Sequence, residues 1–217
     1  YYRSPAVMLE AQLRAKDYVE RRWGTGHFMG VGLDLPHACF GSMLGMAVIE
    51  PEDADEMPYL DNTRPLIADV AQADQLRLGN PQTDGWMGKR YEFWKYYQEQ
   101  GHPVAFGGAS GAILTVAAEI TNGAVFAGLL EDPDNATKVL DFVLAAEEQV
   151  AAFGAQLAGV EYRGMSYIGD DYAGLLSPAM FRRFAVPYYR KLYTGASRFM
   201  HSELLRAEHL RIARDEV

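Results

Sequence analysis

GMSYIGDDYAGLLSPAMFRRFAVP, residues 164–187, is the stretch that decides the fold. Residues 165–168 are apolar and β-favouring, which predicts a short buried strand. Asp170 and Asp171 follow it directly, and Ser177, with proline after it, then predicts the start of a helix. A strand, an acidic loop and a helix in this order are typical of α/β proteins, whose sites lie at the carboxyl ends of parallel strands.

The composition indicates one globular domain and excludes several classes of partner. The chain has 217 residues, 49% of them hydrophobic and 23% charged, which suits a single domain with a full core. A net charge of −9 without a basic run argues against a nucleic-acid partner. No apolar run approaches the ~20 residues of a membrane span. The single cysteine, Cys39, excludes an internal disulfide framework and fits a reducing compartment, so we expect a cytoplasmic protein.

Three more segments repeat the order of strand then helix. Apolar β-favouring runs at 28–33, 103–106 and 198–200 are each followed by a helical pattern. Long helices are predicted at 6–23, 82–100, 112–121 and 132–157, and residues 48–74 are expected to form surface loop, ending in a short helix. Alternation of strand and helix along a chain indicates a parallel sheet, hence an α/β fold. Periodicity alone does not distinguish an open sheet from a closed barrel.

Polar or glycine-rich groups follow all four predicted strands, which is the main sign of a functional site. Because the carboxyl ends of parallel strands meet at one face, we expect these groups to line one cleft. They are Asp34, the run Gly107, Gly108, Ala109, Ser110 and Gly111, the pair Asp170 and Asp171 with Tyr172 after it, and His201 with Glu203. His37, three residues after Asp34, is a further candidate for the same cleft.

The two adjacent aspartates are candidates for acid–base chemistry. Repulsion between neighbouring carboxylates raises the pKa of one of them, which would suit a proton donor. Side chains alternate in direction at a strand end, so only one of Asp170 and Asp171 is expected to face the cleft, and the other is available to cap the loop backbone. Ordinary turn chemistry also places aspartate at strand ends, and this structural interpretation stays open.

The glycine-rich run is interpreted as a close approach of backbone to a ligand or a neighbouring strand. GGASG lacks the lysine and threonine of a P-loop, and Ser110 directly precedes Gly111, which does not fit a nucleophile elbow. Gly107, Gly108, Ser110 and Gly111 are therefore candidates for substrate binding rather than for phosphate binding or hydrolysis.

DDYAGLLSP, followed by FRRFAVPYYRKLY, resembles the uroporphyrinogen decarboxylase superfamily. That superfamily also contains zinc-dependent methyltransferases, which move methyl groups from corrinoid proteins to thiols. The resemblance implies a (β/α)8 TIM barrel and covers nearly the whole chain, which we expect to lack an N-terminal segment and the last strands of that fold. We therefore expect one barrel domain over residues 1–217, incomplete at both ends.

Decarboxylation is the leading functional expectation from the resemblance. It implies removal of carboxyl groups from a tetrapyrrole-type substrate without a cofactor, in a cleft at the strand ends. Asp34 matches the aspartate that contacts the pyrrole nitrogens, and it would stabilise positive charge on the protonated ring. Asp170 and Asp171 are the other catalytic candidates, and Tyr172 and His37 join the glycines as substrate-binding candidates. Asp171 lies near the position of a serine that, in the family, contacts a carboxylate of the substrate. The carboxylate of Asp171 would repel that substrate group.

Two alternatives stay open. In the methyltransferases a His-x-Cys at this strand end holds zinc, and His201 and Glu203 occupy those positions here, so zinc and a corrinoid protein are the cofactor and partner of this alternative. His201 as a merely hydrogen-bonded histidine is an equally good interpretation. The second alternative is a barrel that binds a ligand without catalysis. In every case we expect a small-molecule ligand, with no nucleic acid or membrane, and a homodimer is compatible with the sequence.

Overall fold

The computed structural model describes residues 1–24, 30–53, 56–107, 112–193 and 198–217. Within these ranges the chain is mainly helical, and two pairs of short strands accompany the helices. The helices are α1 Pro5–Trp23, α2 Ala38–Met43, α3 Gly85–Glu99, α4 Ala112–Thr121, α5 Ala124–Glu131, α6 Pro133–Leu157, α7 Pro178–Phe184, α8 Val186–Leu192 and α9 Ala207–Glu216. The strands are β1 Val48–Ile49, β2 Tyr59–Leu60, β3 Tyr167–Gly169 and β4 Phe199–His201, and 3-10 helices span Val70–Gln75 and Asp171–Leu175.

The parallel pair β3–β4 confirms the α/β character of the central stretch. Ile168 lies opposite Met200, and Gly169 lies opposite His201. The two strands therefore end side by side, which sets the residues after β3 beside those after β4. Helices α7 and α8 lie between the two strands in the chain and form the crossover that a parallel pair requires.

Two of the predicted strands are wrong in the part of the chain that the structure describes. Residues 30–33 and 103–106 are not strands, because side chains of neighbouring helices bind their backbone. The Gln12 amide of α1 accepts from the Gly32 N–H and donates to the Gly32 carbonyl, each at 3.0 Å. The Val104 carbonyl accepts from Trp94 Nε1 at 3.1 Å and Gln98 Nε2 at 3.0 Å. These side chains satisfy backbone groups that a neighbouring strand would otherwise bind.

Residues 48–74 are more ordered than the loop that the sequence predicts. Val48 pairs with Leu60 and Ile49 with Tyr59 in the antiparallel β1–β2 ladder. The short helix expected at the end of this segment is the 3-10 helix Val70–Gln75, which begins at an Asp69 cap. The sequence did not predict these strands, because each is only two residues long and lies among acidic, turn-forming residues.

The helix boundaries follow the predicted caps closely. Ser4 Oγ accepts from Val7 N at 3.4 Å at the start of α1, and Ser177 Oγ accepts from Met180 N at 3.3 Å at the start of α7. Pro187 lies in the first turn of α8, where its missing N–H costs no helical hydrogen bond. The helical stretch after Ser177 is therefore two short helices rather than one.

Helices α4 and α6 form the centre of the core. Nearly every residue of α4 is buried, and α6 contributes a buried face of aliphatic residues at helical spacing, Ala136, Val139, Leu140, Val143, Ala146 and Val150. In the described part of the chain, no single helix is long and apolar enough to cross a membrane. Helices α4 and α5 reach such a length only together, and they meet at a bend of 104°.

We expect Gly174→Ala to destabilise the protein by about 2 kcal/mol, because overpacking forces backbone to move. A Cβ at Gly174 would lie 2.2 Å from the Leu204 carbonyl oxygen, in the loop after β4. Gly154→Ala in α6 is the control, since its Cβ would lie 3.7 Å from Phe106 Cδ1, an ordinary contact. We expect this control to be neutral or to stabilise by up to about 1 kcal/mol. Urea unfolding measures both, and equal effects would contradict the close packing of the loop after β4 on the 3-10 helix Asp171–Leu175.

Candidate active site

The Asp170 carboxylate is completely buried and joins three parts of the fold. It accepts hydrogen bonds from Leu114 N at 3.1 Å, from Thr115 N and Thr115 Oγ1 at 2.9 Å each, and from the Tyr189 hydroxyl at 2.8 Å. The backbone N–H groups in the first turn of a helix have no helical acceptor. Asp170, directly after β3, therefore caps α4 and also binds α8 through Tyr189.

Burial raises the pKa of Asp170 to about 6, while its hydrogen-bond donors oppose this rise. The carboxylate is therefore mostly ionised at neutral pH, as its four donors require. All of these contacts lie inside the protein, and the side chain is 0% exposed. Of the two adjacent aspartates, Asp170 is thus the one that binds backbone, and its position favours structure over contact with a substrate.

Asp171 and His201 form a pair at the adjacent ends of β3 and β4. His201 Nε2 lies 3.5 Å from Asp171 Oδ1, and their side chains are 52% and 43% exposed, so both remain open to solvent. Asp171 Oδ1 itself is enclosed and has no hydrogen-bond partner among the described residues. A partly exposed imidazole beside a carboxylate is able to exchange protons with a ligand.

Arg90 is a buried cation that ties two of the predicted site segments together, and the sequence analysis missed it. Its Nε donates to the Phe106 carbonyl at 2.8 Å and the Gly107 carbonyl at 3.1 Å, and its Nη1 donates to the Leu33 carbonyl at 3.1 Å. Burial lowers the pKa of this guanidinium from its ordinary value. The residues immediately before Asp34 and those at the start of the glycine-rich run thereby lie against the same side chain.

A signal for Arg90 was present in the sequence. It lies in the apolar stripe of α3, at helical spacing between Trp86, Phe93 and Tyr97, all of which are buried. A charged residue within such a stripe must find partners when it is buried. The burial of Trp86, Phe93 and Tyr97 shows that this stripe belongs to the core, and Arg90 is its one cation.

Asp34 lies exposed at an open pocket of about 610 Å³. Its Oδ2 accepts from the Tyr1 hydroxyl at 2.7 Å, and that hydroxyl in turn accepts from Gln12 Nε2 at 3.1 Å. Burial and the adjacent Asp34 raise the pKa of Tyr1 to about 12, so Tyr1 remains a donor at neutral pH. Residues 30–33 and α1 line the rest of the pocket.

Each of the four predicted strand ends is connected to the next by a side-chain contact or by strand pairing. Arg90 joins the segment before Asp34 to Gly107, and Asp170 joins the start of α4 to the end of β3. The β3–β4 pairing then adds His201, whose carbonyl accepts from Asp170 N at 2.9 Å. Gly107 adopts a left-handed conformation with φ +54°, as a glycine permits. Gly108, Ser110 and Gly111 lie outside the described residues.

The remaining candidates are placed less centrally. His37 is exposed at the start of α2, and Glu203 is exposed after β4. Tyr172 lines a second pocket, away from the residues that line the pocket at Asp34. Cys39 is buried, and burial raises the pKa of its thiol to about 11.

The donors in the described residues do not fit a zinc site. No group of three histidine, cysteine, aspartate or glutamate side chains is close enough to share a metal ion there. Zinc in proteins takes at least three such ligands, and often four. His201 and Glu203 alone fall short of this number.

A comparison with models of known protein families finds a match. The model of the family described as uroporphyrinogen decarboxylase (URO-D) matches residues 37–202. The matched range includes Arg90, Asp170, Asp171 and His201, whereas Asp34 and Glu203 lie just outside it. A search of curated proteins finds no match.

We expect Asp170→Ala to lower the free energy of unfolding by about 3 kcal/mol or more, because it leaves four buried donors without an acceptor. Asp171→Ala is the matched control, since it removes a partly exposed carboxylate of the same size. Its expected cost is below about 1 kcal/mol. Chemical denaturation of both variants tests the division of roles. Equal losses would contradict it.

Proposed function

This chain belongs to the uroporphyrinogen decarboxylase family, and we propose that it is a decarboxylase that acts without a cofactor on a tetrapyrrole-type substrate. The family implies a TIM-barrel-like fold, and the parallel β3–β4 pair with its helical crossover supports an incomplete barrel of this kind. The cleft would lie at the carboxyl ends of the strands, where the four polar segments are linked.

The position of Asp34 is the observation that carries this proposal. The Asp34 carboxylate lines a pocket of about 610 Å³, and none of the described residues that line this pocket is an arginine or a lysine. Among the described residues, only Tyr1 donates a hydrogen bond to it, through Oδ2, which leaves Oδ1 available. A carboxylate held in this way is suited to accept N–H donors, such as those of pyrrole rings.

The chemistry that we propose for Asp34 is electrostatic. When a pyrrole ring of the substrate is protonated, positive charge develops close to the N–H groups that Asp34 binds. The bond to the carboxyl group then breaks, carbon dioxide leaves, and the electron pair of that bond neutralises the ring. Stabilisation of such charge at a preorganised site is worth several kcal/mol.

Asp171 and His201 are the groups that we propose for proton exchange. Decarboxylation leaves a methylene carbon that must gain a proton to become a methyl group, and the ring then gives up the proton that it took on, so that one proton replaces one carbon dioxide overall. His201 as an imidazolium is able to supply the proton to the methylene carbon, and the Asp171 carboxylate lies 3.5 Å from its Nε2. The same imidazolium would offset the repulsion between Asp171 and a substrate carboxylate.

Zinc-dependent methyl transfer is the second candidate, and the donors argue against it. In that reaction zinc would lower the pKa of a thiol, and the thiolate would take the methyl group. His201 occupies the position of a zinc ligand in that branch, yet the described residues offer no third donor near it. A site of this kind would need donors outside the described ranges.

We expect Asp34→Asn to reduce turnover of uroporphyrinogen at least about 100-fold, because the amide cannot balance positive charge on the ring. Turnover is measured under anaerobic conditions by separating the oxidised products. The control is Asp74→Asn, which changes the same functional group at an 80% exposed surface ion pair with Lys138, and it should leave the rate unchanged.

Two results would count against decarboxylation. One is full activity in the Asp34→Asn variant, which would remove Asp34 from the mechanism. The other is an absence of turnover together with one zinc per chain that is lost in His201→Ala, which would support methyl transfer. A folded protein with neither turnover nor zinc would favour the non-catalytic ligand-binding role.

A further inference from the structure

A second pocket lies on the side of α4 that faces the Asp171–Leu175 3-10 helix. Its volume is about 340 Å³, which lies in the range of pockets that hold small organic ligands. The residues that line it include one carboxylate, two amides and two aromatic rings, namely Glu119, Asn62, Asn122, Phe126 and Tyr172. None of its lining residues lines the pocket at Asp34.

Glu119 is the one charged side chain among the described residues that line this pocket. It is only partly exposed, and none of the described residues is found to form a hydrogen bond or an ion pair with its carboxylate. Burial alone raises the pKa of Glu119 to about 7. A partly buried carboxylate without a partner destabilises the folded state, and such groups are concentrated at functional sites.

Two aromatic rings line the same pocket as this carboxylate. Phe126 and Tyr172 meet edge to face, with ring centroids 6.4 Å apart. Asn122, at φ 46°, and Gly123, at φ 81°, form the turn between α4 and α5. This turn places Phe126 at the pocket. Left-handed backbone at a residue other than glycine is uncommon and costs energy, so the turn is a specific feature of this site.

We propose that this second pocket binds a small organic cation, an ammonium group attached to an apolar body. The Glu119 carboxylate would receive the ammonium, the faces of Phe126 and Tyr172 would attract its positive charge, and the amides of Asn62 and Asn122 would accept its remaining N–H groups. No lining residue carries a positive charge that would compete with the ligand. The proposal is independent of decarboxylation, because the two pockets share no lining residue.

Benzylammonium is a suitable probe, and benzyl alcohol is its neutral counterpart. We expect calorimetric or NMR titration to show saturable binding of benzylammonium and at least about tenfold weaker binding of benzyl alcohol. Glu119→Gln should reduce benzylammonium binding at least about tenfold, because it removes the charge and keeps the shape. Glu131→Gln, at an exposed position of the neighbouring helix α5, is the control and should leave the affinity unchanged.

The pH dependence gives a second readout. The cation binds the ionised carboxylate, and the pKa of Glu119 lies at about 7. Affinity should therefore fall roughly tenfold between about pH 8 and about pH 6, whereas weak binding of benzyl alcohol should not follow this dependence.

Thermal unfolding shows whether Glu119→Gln is folded. Because the folded-state pKa is raised, ionisation of Glu119 costs stability as the pH rises through about 7. The variant should therefore melt a few degrees above the parent protein near pH 8 and at the same temperature near pH 4.

If this variant is unfolded, Phe126→Leu replaces it, and loss of the ring should weaken benzylammonium binding several-fold.

Three results would overturn the proposal. The first is an absence of benzylammonium binding at millimolar concentration to folded protein near pH 8. The second is equal affinity for benzylammonium and benzyl alcohol. The third is unchanged affinity in a folded Glu119→Gln or Phe126→Leu variant. Each is independent of whether the protein turns over a porphyrinogen.

Discussion

The contact between the Asp170 carboxylate and the first turn of α4 is the constraint on which the rest of the site depends. Helix α4 is buried on nearly all sides, so the N–H groups at its start have no water to bind and need an acceptor from the protein. Asp170 supplies that acceptor from the end of β3, and Tyr189 of α8 donates to the same carboxylate. One charged group thus fixes a strand, a core helix and part of the crossover relative to one another.

Asp170 and Asp171 are adjacent in sequence but have different roles in this arrangement. Because side chains alternate in direction at a strand end, the inward turn of Asp170 leaves Asp171 at the surface, within 3.5 Å of His201 Nε2. Arg90 acts in a similar way at the other two segments, where a buried guanidinium binds three backbone carbonyls beside Asp34 and Gly107. Buried charges hold the backbone, and the partly exposed groups next to them are left available for a ligand.

Residue patterns predicted the long helices α1, α3, α4 and α6 well, because their caps and apolar faces are local signals, whereas the short helices α2 and α5 were not predicted. Ser177 with Pro178 marked the start of α7, and the spacing from Val139 to Val150 marked α6. The strands predicted at 30–33 and 103–106 were wrong. An apolar run alone suggests that its backbone pairs with a strand, but here the side chains of Gln12, Arg90, Trp94 and Gln98 bind those backbone groups. These contacts join residues 6 to 57 positions apart in the sequence, and a local pattern of apolar residues does not show them. Glu119 stands out only in the folded protein, where residues of α5 and of the 3-10 helix line the same pocket.

Hydrogen exchange at the amides of Leu114 and Thr115 tests the central contact most directly. First-turn amides of a helix ordinarily exchange fast, because they have no helical acceptor. If Asp170 binds them as described, both should exchange as slowly as the Ala118 amide in the middle of α4, and far more slowly than the exposed first-turn amide of Glu208 in α9. Exchange of Leu114 and Thr115 at the rate of Glu208 would contradict this account of the fold and of its site.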